Sequence, residues 1–151
     1  MPIDKNTFCV APWYSLYLDS KKRMAPCCKF QEPQDAKTLE EYFTSQELQQ
    51  VRQDLLNGVK NPNCIKCWTD EANGGDSLRL ISNRTISHAE DLDIAKQIEN
   101  PRADALLSFD LTLGNLCNLK CVMCTPALSS QILSESNTNL NLKSLYSAST
   151  D

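Results

Sequence analysis

Eight cysteines fall into two groups along the chain, and no fold can be assigned to it without accounting for both. Five lie between Cys9 and Cys67. The other three are packed into "GNLCNLKCVMC", residues 114–124. Met1-Pro2-Ile3-Asp4-Lys5 lacks the apolar core of a secretory signal, and no window approaches the ~18 apolar residues of a membrane span. The expectation is a cytoplasmic protein, where thiols stay reduced and structural disulfides are rare. Cysteines at this density then read as ligands for a metal or a cluster before they read as a disulfide framework.

The rest of the composition fits a folded protein. Hydrophobic residues make up 41% of the 151 positions and charged residues 23%, which is ordinary for one domain or two small ones. The net charge of −4 argues against nucleic acid or an anionic membrane as partner, because phosphate binding needs surplus Lys and Arg. The one basic run, Lys21-Lys22-Arg23, reads as a solvated turn.

Along the chain, "WYSLYL" (13–18), "DSKKR" and "MAPCC" read as strand, polar turn and returning strand ending at Pro26-Cys27-Cys28. Thr38 with Glu41 fits a capping box, and Ser45 can cap a second helical segment. Leu48, Val51 and Leu55 recur at helical spacing up to Gly58, placed where a glycine ends a helix. The turn "KNPN" leads to Cys64-Ile65-Lys66-Cys67. After Gly74-Gly75, Ser77 starts a helix to about residue 86. An acidic stretch, 88–101, carries a short helix near 90–99 and stops at Pro101. In "ALLSFDLTL", residues 105–113, Leu107, Phe109, Leu111 and Leu113 alternate with polar positions, which predicts a strand with one buried face. Beyond the cysteine loop, Pro126 and then Leu128, Ile132 and Leu133 predict a helix. The tail from Ser134 reads as frayed.

The spacing Cys117-x-x-x-Cys121-x-x-Cys124 would also line one face of a helix, as buried thiols do. Leu116, Leu119, Val122 and Met123 would then leave that helix without a polar face, and Gly114-Asn115 and Pro126 mark a loop instead. A closed zinc site wants four ligands. His88, the single histidine, lies upstream on a polar segment and reads as exposed. Three thiolates suit a 4Fe–4S cluster with one iron left open for a substrate.

"LGNLCNLKCVMC" after a strand resembles the cluster-binding motif of the radical SAM superfamily. The resemblance implies that Cys117, Cys121 and Cys124 hold a catalytic 4Fe–4S cluster whose open iron binds S-adenosylmethionine. Reductive cleavage would then yield a deoxyadenosyl radical. It implies an external one-electron reductant such as flavodoxin or ferredoxin, and a peptide or small-molecule substrate. The position before the last cysteine is usually aromatic in that family and packs near the adenine. Here it is Met123, which is apolar and polarizable enough to do similar packing.

Cys9, Cys27, Cys28, Cys64 and Cys67 supply four ligand equivalents and one spare. If Cys27 and Cys28 are extended, only one of them faces a shared metal. "FCVAPWYSLYLDSKKRMAPCC", "TLEEYFTSQELQQVRQDLLNG", "CIKC" and "GGDSLR" together resemble the SPASM/twitch auxiliary-cluster module, here N-terminal to the radical SAM motif. The resemblance implies an auxiliary 4Fe–4S cluster on Cys9, Cys27, Cys64 and Cys67, with Cys27 preferred to Cys28 because it follows Pro26 at the strand end. Zinc stays open as the rival for this site. Trp13, Tyr14 and Leu16 read as core between hairpin and helix rather than as a substrate cleft. Trp68 reads as a shield against water, and Arg79 and Asn83 as structural bonding partners.

The expected architecture is α+β. A small cysteine-rich hairpin-plus-helices auxiliary-cluster module (1–87) and a linker (88–104) precede the first strand, loop and helix of a partial (β/α) radical SAM barrel (105–151). A full eight-unit barrel takes about 250 residues. The glycine-rich segment that would hold the methionine amino group is not seen. The chain therefore reads as a truncated product or one half of a split enzyme, not expected to turn over unless another chain supplies the rest of the barrel. The readings from other classes are a non-catalytic iron–sulfur electron-transfer module and a zinc-binding interaction module.

Overall fold

The computed structural model describes residues 6–87, 94–126 and 128–138, with side-chain surroundings for all of these except Ser87 and 136–138. The chain separates into two compact units, residues 1–111 and 112–151. The fold is mixed α and β, with several helices and one three-stranded sheet. No helix among the described residues is long and apolar enough to cross a membrane.

The first unit opens with a short helix, α1 (Ala11–Tyr14), followed by β1 (Ser15–Leu18) and β2 (Met24–Ala25). The two strands pair antiparallel, Tyr17 opposite Ala25 and Leu18 opposite Met24, so the expected hairpin forms. Its first strand begins two residues later than Trp13. Pro12 sits in the first turn of α1, where its fixed φ suits a helix and its missing N–H costs nothing. The hairpin turn is tied by Asp19, whose carboxylate accepts from the backbone N–H groups of Lys21 and Arg23 and from the Arg23 side chain.

Two capped helices follow. The Thr38 hydroxyl accepts from Glu41 N at the start of α2 (Leu39–Phe43), and the Glu41 carboxylate accepts from Lys37 N. Ser45 caps α3 (Gln46–Leu56) in the same way, through Leu48 N. Gly58 has φ +79° after the C-terminus of α3, the left-handed conformation that glycine adopts without strain. A 3₁₀ turn, Pro62–Cys64, runs into α4 (Ile65–Ala72), so Cys67 stands in the first turn of a helix rather than in an open turn. Next come α5 (Leu78–Ser87) and α6 (Ile94–Glu99). Ser77 caps α5 through Leu80 N. Part of the predicted 90–99 helix, like His88, lies outside the described residues.

Trp13, Tyr14 and Leu16 are buried, as expected of core residues, and so are Leu48, Val51 and Leu55. Arg52 is also buried. It donates to Pro12 O and Phe43 O and lies 4.2 Å over the Phe43 ring, joining α3 to the ends of α1 and α2. Leu55 is fully enclosed, in the apolar cluster that includes Cys9, Phe30 and Trp68. Truncating it to Ala should cost about 3 kcal/mol in denaturant unfolding, through lost burial and the cavity left behind. A cost below about 1 kcal/mol would mean that this cluster is not packed as described.

The last strand, β3 (Ser108–Leu111), pairs in parallel with β1, Leu16 opposite Phe109, giving the sheet order β2-β1-β3. It was expected to open the second domain, yet its pairing places it in the sheet of the first unit. The expectation of one buried face also needs correction. All four residues are exposed, with Phe109 at 55% and Leu111 at 48%. Its apolar side chains stay about half exposed, so alternation alone does not bury that face.

The second unit contains the cysteine loop and α7 (Ser130–Thr138). The helix starts four residues after Pro126, because Thr125 O takes the N–H groups of Leu128 and Ser129 in a preceding turn.

Candidate metal centre

In the first unit α1, the segment after β2, α3, α4 and α5 meet around a small, largely apolar cavity. Cys9, Cys27, Cys64 and Cys67 all line it, together with Phe30, Leu55, Leu78 and Arg79. Each thiol arrives from a different local device. Cys9 comes from the loop before α1, Cys27 from the end of the hairpin, Cys64 from the 3₁₀ turn and Cys67 from the first turn of α4. Cys28 does not line the cavity. It is exposed, and burial and then the neighbouring Asp110 carboxylate push its thiol up.

The thiols sense one another. Burial pushes the Cys9 thiol well above its usual range, and the neighbouring Cys27, Cys64 and Cys67 push it the same way. Burial raises Cys27 to about 11, assisted by Cys67. Cys64 is raised to about 12 by burial, then by Cys27 and Cys67, against an opposing pull from Arg79. As thiolates these groups would repel in a low-dielectric pocket, so a positively charged centre would relieve the site. All eight cysteines are free. As they stand, no three His, Cys, Asp or Glu side chains among the described residues are gathered tightly enough to clasp a metal ion. The four thiols surround a cavity and do not converge on a point.

A pH dependence follows for the metal-free chain. These thiols titrate higher in the folded protein than the unfolded value of 9.0. Above about pH 9 the unfolded chain has released protons that the folded one still holds, so stability falls as pH rises. Denaturant midpoints of metal-free protein should be flat below pH 8 and decline between about pH 9 and 11. The decline should be shallower in a Cys27→Ala, Cys64→Ala variant, and an equal slope in both proteins would count against the burial described.

Around the cavity, Trp68 is buried and donates its indole N–H to Asn61 O at 2.9 Å, while the Arg79 guanidinium lies 5.2 Å from its ring. Arg79 is paired with Glu71 and donates to Phe8 O at 2.8 Å. The Asn83 carboxamide contacts the backbone on both sides of Cys9, accepting from Val10 N and donating to Phe8 O, each at 2.8 Å. The offset of four between Arg79 and Asn83 was legible. Their common target, the Cys9 loop, was not.

In the second unit Cys117 and Cys124 are half-buried and Cys121 is exposed. Cys124 N donates to Cys121 O at 2.9 Å, which folds the last part of the loop into a turn. Leu116, Val122 and Met123 project outward, each at least 95% exposed. The start of α7 fastens the loop. Ser129, fully buried, donates to Leu119 O at 2.9 Å, and Ser130 N donates to Asn115 O at 2.7 Å. The Ser130 hydroxyl accepts from Cys117 N at 3.2 Å. These two serines were not singled out in the sequence, where they lie within the helix expected after Pro126.

Comparison with protein-family models, with curated proteins and with solved structures returned no match.

Proposed function

We propose that this chain is a radical SAM protein with an auxiliary iron–sulfur site. Cys117, Cys121 and Cys124 hold the catalytic 4Fe–4S cluster, and Cys9, Cys27, Cys64 and Cys67 hold the auxiliary one. The observation that carries the reading is the gathering of four cysteines, from three separated stretches of sequence, around one cavity that the fifth, Cys28, does not line. An all-sulfur donor set with no oxygen or nitrogen ligand is the chemistry that soft centres and iron–sulfur clusters prefer.

When bound, the three-cysteine cluster supplies the electron for cleaving S-adenosylmethionine and an iron with an open position. The residues of the chain have separate tasks. Asn115, Ser129 and Ser130 fix the loop backbone, so the three thiols are presented from a fastened segment. Met123 is exposed and free to pack against an adenine ring. In the first unit Phe30, Leu55 and Trp68 keep water from the four-thiol cavity, and Arg79 sets a positive charge near it. An auxiliary cluster is thereby shielded and its negative charge partly offset.

The exposed apolar side chains of the loop and the open edge of β3 are the surfaces that further barrel strands would cover. Turnover on a peptide or small-molecule substrate therefore requires those strands, and an external one-electron reductant. The direct test adds S-adenosylmethionine to the reconstituted, dithionite-reduced chain and records the EPR spectrum. An open iron predicts a changed signal, whereas an unchanged one would leave a non-catalytic iron–sulfur module.

A further inference from the structure

Cys9 differs from the other three cavity cysteines in how it is held. Cys27 ends a hairpin, and Cys64 and Cys67 belong to a 3₁₀ turn and a helix. Cys9 precedes the first helix and sits in a loop whose own backbone makes no ladder. Its flanking peptide groups are instead taken by α5. Val10 N donates to Asn83 Oδ1 and Phe8 O accepts from Asn83 Nδ2, both at 2.8 Å, across more than seventy residues of sequence. The carboxamide orientation is dictated by these partners, since an N–H must meet its oxygen and a carbonyl its NH₂. Arg79 adds a donor to the same Phe8 O, and Thr7 donates its hydroxyl to Leu55 O at 3.0 Å. Asn83 thus grips both sides of the cysteine.

We propose that Asn83 is the positioning residue that makes Cys9 a ligand: with it the cavity is a four-thiolate site, and without it a three-thiolate one. The inference rests on reading the cavity as a cluster site. A group that both accepts from one peptide and donates to its neighbour fixes the direction of the Cα–Cβ bond between them, and with it where the sulfur points. Losing that grip frees the loop while the hairpin and α4 keep their cysteines in place.

The test uses the full chain carrying Cys117→Ala, Cys121→Ala and Cys124→Ala, so that only the first unit is read. After anaerobic loading with iron and sulfide, one equivalent of ferricyanide is added. An iron without a protein thiolate then leaves, [4Fe–4S]²⁺ giving [3Fe–4S]⁺, Fe²⁺ and one electron, which ferricyanide accepts. The three-iron product has an EPR signal, and the intact oxidised four-iron cluster is silent. Asn83→Ala and Asn83→Asp are compared with Cys9→Ala as the reference for a missing ligand.

The expected result is silence with Asn83 present, and in at least one folded Asn83 variant the same three-iron signal as Cys9→Ala, with about one iron lost per cluster. Four-iron, silent spectra in both variants would overturn the proposal. So would loss of the metal-free far-UV CD spectrum in both, because Asn83 would then serve the fold and not the ligand. If the parent with Asn83 intact takes up no iron and sulfide, the cluster reading itself falls before any Asn83 variant is compared.

Discussion

A Cys64→Ala, Cys67→Ala variant is expected to lose the iron and sulfide of the first unit completely while keeping those of the loop, so that total iron falls by about half. The two residues line the cavity from consecutive turns of one segment, and their removal leaves only Cys9 and Cys27 of its four cysteines. Two thiolates cannot complete either a cubane or a tetrahedral zinc site. The metal-free fold should be little affected, because each change removes one sulfur from a core held by Leu55, Val51, Phe30 and Trp68. A loss of about 1 kcal/mol per buried sulfur is the scale to expect. The larger effect belongs to the loaded protein, since binding free energy is also folding free energy. Reconstitution and iron analysis of the variant decide the matter. Retention of the parent's iron would exclude the cavity as the site.

The second large effect concerns the loop. Replacing Cys117, Cys121 and Cys124 with alanine should remove the other half of the iron and every response of the EPR spectrum to S-adenosylmethionine. The first-unit signal should be left as it was. The loop cysteines are at least partly exposed, and the contacts that fix the loop come from Asn115, Ser129 and Ser130 rather than from sulfur. The substitution should therefore leave the fold intact and act on binding alone. If the triple variant still responds to S-adenosylmethionine, the open iron does not lie on this loop.

Much of the local structure was legible because it depends on neighbours in sequence. Thr38, Ser45, Gly58 and Ser77 act where capping chemistry places them, and the hairpin follows from apolar strands around Asp19 and its turn. The helical turn at Ala11–Tyr14 was missed because Trp13 and Tyr14 favour strands, while Pro12 just ahead of them starts a helix. The exposure of β3 was missed for a different reason. Alternation shows which residues share a face, and only tertiary packing shows whether anything covers it.

The candidate site divides in the same way. Spacing singled out the cysteines, and four of them, Cys9, Cys27, Cys64 and Cys67, line one cavity. The distant targets of the polar side chains were not legible. Asn83 reaches Phe8 and Val10, Ser129 reaches Leu119, and Arg52 reaches Pro12, each bonding backbone far away in sequence. A side chain that bonds distant peptide groups leaves no periodicity to read.

Both cysteine groups are proposed to bind iron–sulfur clusters. Anaerobic reconstitution of the full chain with iron, sulfide and zinc all present, followed by analysis of all three, tests this most directly. Two four-iron clusters predict up to about eight iron and eight sulfide per chain with little zinc. Saturation with zinc and no sulfide would contradict the claim for both groups.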